Sequence, residues 1–204
     1  MSKHIDFYFD FISPFSYLAH VKLPGIAAKH GYEVNYHPID IPQAKIAAGN
    51  YGPSNREVPA KIKVMAADLN RWADFYGVPL NFPAGFDCMR WNVAALKAAE
   101  QGKSEAFVRE GFERIWGRGI DPADEGEFRA AAKAAGLDAD ELWDYAGSSL
   151  GRSEFRKGCV EAHRRGVFGA PLMFVDDQIF WGNDRLDFLE KYIATPRNDT
   201  ASAA

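Results

Sequence analysis

Both ends of the chain carry β-strand patterns around a long helical middle, and that arrangement leaves few folds open. Ile5, Phe7 and Phe9 alternate with Asp6, Tyr8 and Asp10, the period of two expected of a strand. Ser13 then offers a helix N-cap, and Pro14 suits the first helical position. Tyr17, Leu18, Val21, Leu23 and Ile26 carry that helix to about Gly31, with Pro24 expected to kink or break it. Glu33 to Ile39 reads as a second strand, so the segment is a βαβ unit with a parallel pair and a right-handed crossover. At the other end, Leu172–Val175, the turn Asp176–Asp177 and Gln178–Trp181 spell a β-hairpin. Asn183 and Asp184 can cap a last helix bearing Leu186, Leu189, Tyr192 and Ile193, and the small, polar tail after Pro196 is expected to be disordered.

The middle has a different texture. Residues 43–58 hold Gly49, Gly52 and Pro53 among mixed charges and read as an irregular, lid-like stretch. Ile62, Met65, Ala66, Leu69, Trp72, Ala73 and Tyr76 recur at helical spacing and stop at Gly77. Further helices are expected at roughly 91–101, 104–116, 124–135, 138–149 and 153–165, with no repeat period. The fold class is therefore α/β: a discontinuous thioredoxin-like core, residues 1–42 and 166–204, with an all-helical insertion domain at 43–165.

Composition narrows the function classes. The chain has 204 residues, 47% hydrophobic and 25% charged, the balance of an ordinary globular protein. A net charge of −4 lacks the basic field that nucleic acid demands, and no apolar run approaches a membrane span. Cys88 and Cys159 form no C-x-x-C pair, which fits a reducing compartment, and the five histidines lack ligand spacing, so no metal is expected. With no leader pattern in M-S-K-H-I-D, a cytoplasmic location is the expectation.

Three junctions of the core can carry chemistry. Ser13-Pro14-Phe15-Ser16 opens the first helix, whose N–H groups and dipole can stabilise a thiolate; serines stand where a redox motif would have cysteines. A small-molecule thiol could lie there with the Ser13 hydroxyl donating to it, and a plain helix cap is the alternative. Ala170-Pro171 leads into an apolar strand, either as a cis peptide whose neighbouring backbone pairs with an extended peptide or as an ordinary trans proline at an edge. Trp181-Gly182-Asn183-Asp184-Arg185 opens the last helix and is either a seat for a carboxylate and an amine or a plain helix start.

Together with K-I-A-A-G-N-Y-G-P-S-N-R and D-F-Y-F-D-F-I-S-P-F-S-Y-L-A, the motifs V-F-G-A-P and W-G-N-D-R-L resemble the 2-hydroxychromene-2-carboxylate isomerases, a branch beside the kappa-class glutathione transferases. The likeness runs from Asp6 to about Leu189. It implies glutathione as a cofactor regenerated each cycle, an aromatic carboxylate as substrate, and a homodimer. It implies that Ser13 activates the glutathione thiol, with Ala170, Pro171, Trp181, Gly182, Asn183 and Asp184 around the cofactor. Lys45, Asn55, Arg56 and Phe86 match positions facing substrate, and Arg90 one that helps hold its carboxylate. Read singly, Lys45 and Arg90 also fit a solvated charged face. Cys88 and Cys159 match no catalytic position. A kappa-like transferase or peroxidase, a disulfide oxidoreductase and a non-catalytic glutathione binder are the rival readings.

Overall fold

The structure, a computed structural model, describes residues 3–195, so the polar tail lies outside the described residues. Strands β1 (His4–Phe9), β2 (Glu33–Pro38), β3 (Leu172–Val175) and β4 (Gln178–Trp181) form one sheet in the order β2-β1-β3-β4. β1 and β2 are parallel, as a βαβ unit requires, and β3 runs antiparallel to both β1 and β4. This is a thioredoxin-like sheet, with the helical residues between β2 and β3 packed against it.

Helix α1 (Pro14–Lys29) crosses from β1 to β2, and Pro24 does not break it. Leu18, Ala19, His20, Leu23 and Ala27 are all buried, so packing on both sides of Pro24 holds the helix together. The lid-like stretch is more ordered than its glycines imply. It opens with α2 (Ile41–Ala47), capped by Asp40, and holds a 3-10 turn at Asn55–Glu57. Then follow α3 (Pro59–Tyr76), closed by Gly77 in the left-handed region, α4 (Met89–Glu100), α5 (Ser104–Phe112), α6 (Glu125–Ala134), α7 (Ala139–Gly147) and α8 (Ser149–Arg164). The helix expected at 104–116 changes pitch: α5 gives way to a π-helical turn at Glu113–Arg118. The last helix, α9 (Leu186–Ala194), starts later than expected. A 3-10 turn at Asn183–Arg185 precedes it, and neither Asn183 nor Asp184 caps it.

The core runs unbroken from sheet to helical layer through Phe11. Its ring meets Phe9 at 5.3 Å, Phe112 at 4.8 Å and Trp91 at 5.9 Å, and Trp91 continues to Phe128 at 5.0 Å. Such aromatic contacts favour edge-on and tilted geometries. The residue two places before Ser13 is therefore clamped between the two layers.

On the other face of β1, Asp6 ties three elements together. It accepts from Asn35 at 3.0 Å and Arg165 at 2.6 Å and pairs with His37 at 3.2 Å. The His37 hydrogen bond, then those of Asn35 and Arg165, hold its carboxyl well below the usual range against the effect of burial. A depressed carboxyl contributes stability that is present above the ordinary aspartate pKa and is lost as pH falls through the folded value. Asp6→Asn should therefore destabilise the protein by about 1–3 kcal/mol at neutral pH. The gap from wild type should shrink below about pH 4, which urea unfolding across pH would measure.

Candidate active site

The register of the sheet brings the three predicted junctions to one end. Tyr8 lies opposite Leu172, and Leu172 opposite Trp181. The end of β1, the entry to β3 and the exit of β4 thus sit side by side. The Ala170–Pro171 peptide is cis. Gly182 donates its N–H to the Pro171 carbonyl at 3.0 Å, joining the second junction to the third.

Ser13 is 6% exposed and caps α1: its Oγ accepts the Ser16 N–H at 3.1 Å. An oxygen already accepting there keeps its own hydrogen free to donate elsewhere. The loop behind it is held at several points. Asp10 accepts the Ser13 N–H through its carbonyl at 3.0 Å, and Trp116 Nε1 donates to the Phe11 carbonyl at 2.7 Å. One turn on, the Tyr17 hydroxyl donates to the Pro79 carbonyl at 2.8 Å, and burial pushes its phenol up to about 12.

At the β4–α9 turn, Gly182 adopts φ of 106°, and a Cβ there would stand 2.4 Å from Asp184 Oδ1, so this position requires glycine. Trp181 is 58% exposed, with its ring edge-on to Phe168 at 4.9 Å. Asn183 is buried, whereas Asp184 pairs with Arg185 at 3.5 Å. Ala170 makes no backbone hydrogen bond among the described residues.

The residues expected to face substrate are more dispersed. Lys45, in the last turn of α2, donates through Nζ to the Gly52 carbonyl and so closes the lid-like stretch on itself. Asn55 Oδ1 accepts from Lys61 at 3.2 Å. The Arg56 side chain lies outside the described residues. Phe86 is exposed, just ahead of α4. Arg90 stands apart. Its guanidinium lies 3.9 Å from the Trp143 ring, and Nη1 donates to the Trp143 carbonyl at 2.9 Å. Asn92, two residues along the same helix, faces the Ser13 loop; a two-residue step is more than half a helical turn, so Arg90 points away from that loop. Sequence reasoning missed Asp10, Asn92 and Trp116. The available signal was a carboxylate ending an aromatic strand and an amide between Trp91 and Val93.

Cys88 and Cys159 are both buried, and burial pushes the Cys159 thiol up to about 11, so it is protonated at neutral pH. Among the described residues, no three His, Cys, Asp or Glu side chains group as a metal site, and no helix is long and apolar enough to cross a membrane.

Residues 4–194 match the model of the DSBA-like thioredoxin domain. A 2-hydroxychromene-2-carboxylate isomerase of Sphingobium xenophagum is 65% identical over 193 residues, covering 95% of this chain and 99% of the relative. The chain belongs to the 2-hydroxychromene-2-carboxylate isomerase family of DSBA-like thioredoxin domains. A solved structure of a 2-hydroxychromene-2-carboxylate isomerase superposes with a TM-score of 0.88 at 38% identity, covering 93% of this chain and 94% of that one. Kappa relatives lie further off: glutathione S-transferase kappa 1 of Caenorhabditis elegans is 28% identical, covering 95% of this chain and 92% of the relative.

Proposed function

We propose that this chain is a glutathione-dependent isomerase that interconverts 2-hydroxychromene-2-carboxylate and trans-o-hydroxybenzylidenepyruvate. The observation that carries the reading is Ser13, buried at the N-cap of α1, with a second serine where a disulfide enzyme would hold its other cysteine. No thiol of the chain itself occupies that motif, so the nucleophile has to be supplied.

The residues present fit glutathione. One buried polar atom at this sheet end, Ser16 Oγ, has no hydrogen-bond partner among the described residues, and the buried Asn183 side chain interacts with the Tyr76 phenol. Ala170 would pair its free backbone with the cysteinyl main chain, and Gly182, Asn183 and Asp184 would receive the γ-glutamyl end, with Trp181 flanking it. When bound, glutathione supplies a thiol whose ionised form can add to the conjugated double bond, permit rotation, and leave unconsumed. Ser13 donates its hydroxyl hydrogen to the sulfur, while the α1 N-terminus presents its positive end. The cis-proline loop and the β4 turn hold the peptide, and Lys45, Asn55 and Arg56 in the lid-like stretch orient the substrate's carboxylate.

Counting thiols tests the reading. With glutathione well below substrate, many turnovers per glutathione and a constant total of free thiol are expected. Stoichiometric loss of thiol would instead favour a kappa-like transferase. The separate assignment of cofactor and substrate residues predicts a second result. Lys45→Ala or Arg56→Ala should raise the Michaelis constant for the aromatic acid about ten-fold and leave the glutathione Kd nearly unchanged. If glutathione affinity falls instead, the cofactor and substrate residues are assigned the wrong way round.

A further inference from the structure

Asp10 ends the run of β1 where the chain turns toward Ser13, and its side chain is only 3% exposed. Three N–H groups from three parts of the chain converge on it. Ile12 in the loop donates to Oδ1 at 3.1 Å, and Asn92 Nδ2 from α4 reaches the same oxygen at 2.7 Å. Ile41, the first residue of α2, donates to Oδ2 at 3.1 Å. Asn92 completes the link through its own Oδ1, which accepts the Phe11 N–H at 3.1 Å.

Burying a carboxylate is unfavourable unless hydrogen bonds or a cation replace its water. Among the described residues no cation acts on Asp10, so N–H donors replace its water. The acidic groups facing it are the Asp40 carboxylate at the head of α2 and the Cys159 thiol of α8; Asn92 of α4 and Ser13 of the loop are neutral. Because every partner is a donor, an ionised carboxylate satisfies all three at once with its strongest acceptors. An amide at position 10 turns a donor toward at least one of them, and a proton leaves weaker acceptors for all three.

We propose that Asp10 is a positioning residue: its carboxylate locks the Ser13 loop, the start of the Lys45-bearing helix α2, and helix α4 into one arrangement, fixing the distance between the sulfur site and the substrate-binding cation. The kinetic part of this proposal rests on the glutathione-dependent reading of Ser13; the lock itself does not. Burial pushes the carboxyl up to about 6, opposed by the hydrogen bonds of Asn92, Ile41 and Ile12, and Asp40 adds slightly to the rise. Protonation through that value relieves the buried charge, yet it leaves a neutral carboxyl, a poorer acceptor, so each of these hydrogen bonds weakens as pH falls.

The first test needs no ligand. In the wild-type protein, the amide NMR signals of Ile12 and Ile41 should move together with a midpoint near pH 6, and in Asp10→Asn they should not titrate there. Kinetically, Asp10→Asn should lower kcat about ten-fold, hold the glutathione Kd within about two-fold, and abolish the acid limb of kcat. Combining Asp10→Asn with Asn92→Asp moves the carboxylate to α4. There it can accept from Phe11 and from the new amide, whose oxygen still serves Ile41, while Ile12 loses its acceptor. This exchange should recover part of the kcat lost in Asp10→Asn alone. Amide signals of Ile12 and Ile41 that share no titration anywhere between about pH 2 and 8 would overturn the lock. So would a folded Asp10→Asn with wild-type kcat and acid limb, or an exchanged pair that regains its melting temperature but none of the lost kcat. Titrating amides in a protein without isomerase turnover would support the lock and refute the reading of Ser13 alone.

Discussion

Ser13→Ala should lower kcat between about ten- and a hundred-fold while glutathione still binds. On the proposed reading the hydroxyl contacts only the sulfur of the cofactor, and the cis-proline loop and the β4 turn would hold the peptide. Losing one charge-assisted hydrogen bond of about 1.5–3 kcal/mol sets that range. The variant also loses the cap on Ser16 N–H, so its unfolding free energy should drop by about 1 kcal/mol. Steady-state kinetics with isothermal titration would check both numbers. A wild-type kcat in the alanine variant would remove Ser13 from the chemistry. Ser13→Cys is not expected to substitute, because a thiol at that position can form a mixed disulfide with glutathione.

Trp116 gives the largest expected effect on stability. It is fully buried in the π-helical turn after α5, and its indole N–H reaches across to the Phe11 carbonyl. Trp116→Ala should cost about 3–5 kcal/mol, since it removes the ring and opens a cavity in the aromatic core. Trp116→Phe keeps most of the volume but leaves a buried carbonyl unpaired, at about 1–3 kcal/mol. Urea unfolding of the two variants separates packing from hydrogen bonding. If both lose equally little, the helical layer does not secure the Ser13 loop in the manner described. Because Phe11 stands two residues before Ser13, the phenylalanine variant should also lose turnover.

Periodicity made the frame of this fold readable. The alternation of Ile5, Phe7 and Phe9, the hairpin turn at Asp176–Asp177 and the stop at Gly77 are local signals, and each element lies where those residues place it. What failed to show were features decided by tertiary packing. Pro24 is tolerated in α1 because buried side chains flank it. Residues 41–47 form a helix because Asp40 caps it, although the glycines that follow read as loop. Alternation placed Asp10 among the polar residues of β1, yet the strand ends at Phe9 and donors from the loop, α2 and α4 enclose Asp10. Of the site, the three junctions were legible because turn residues and a helix N-terminus are written locally. Arg90 could not be placed, since its facing is fixed by Trp143, far away in sequence. The Asp10–Asn92 contact spans 82 positions and has no local signature.

On the proposed chemistry, the N-terminus of α1 and the Ser13 hydroxyl together ionise a thiol that the chain does not itself carry. Titrating the ultraviolet absorbance of the thiolate, with glutathione bound to saturated enzyme, tests it directly. The bound thiol should ionise well below the value of about 8.5 for a free thiol, and Ser13→Ala should move it back upward. A bound thiol that titrates like free glutathione, in wild type and variant alike, would contradict the account.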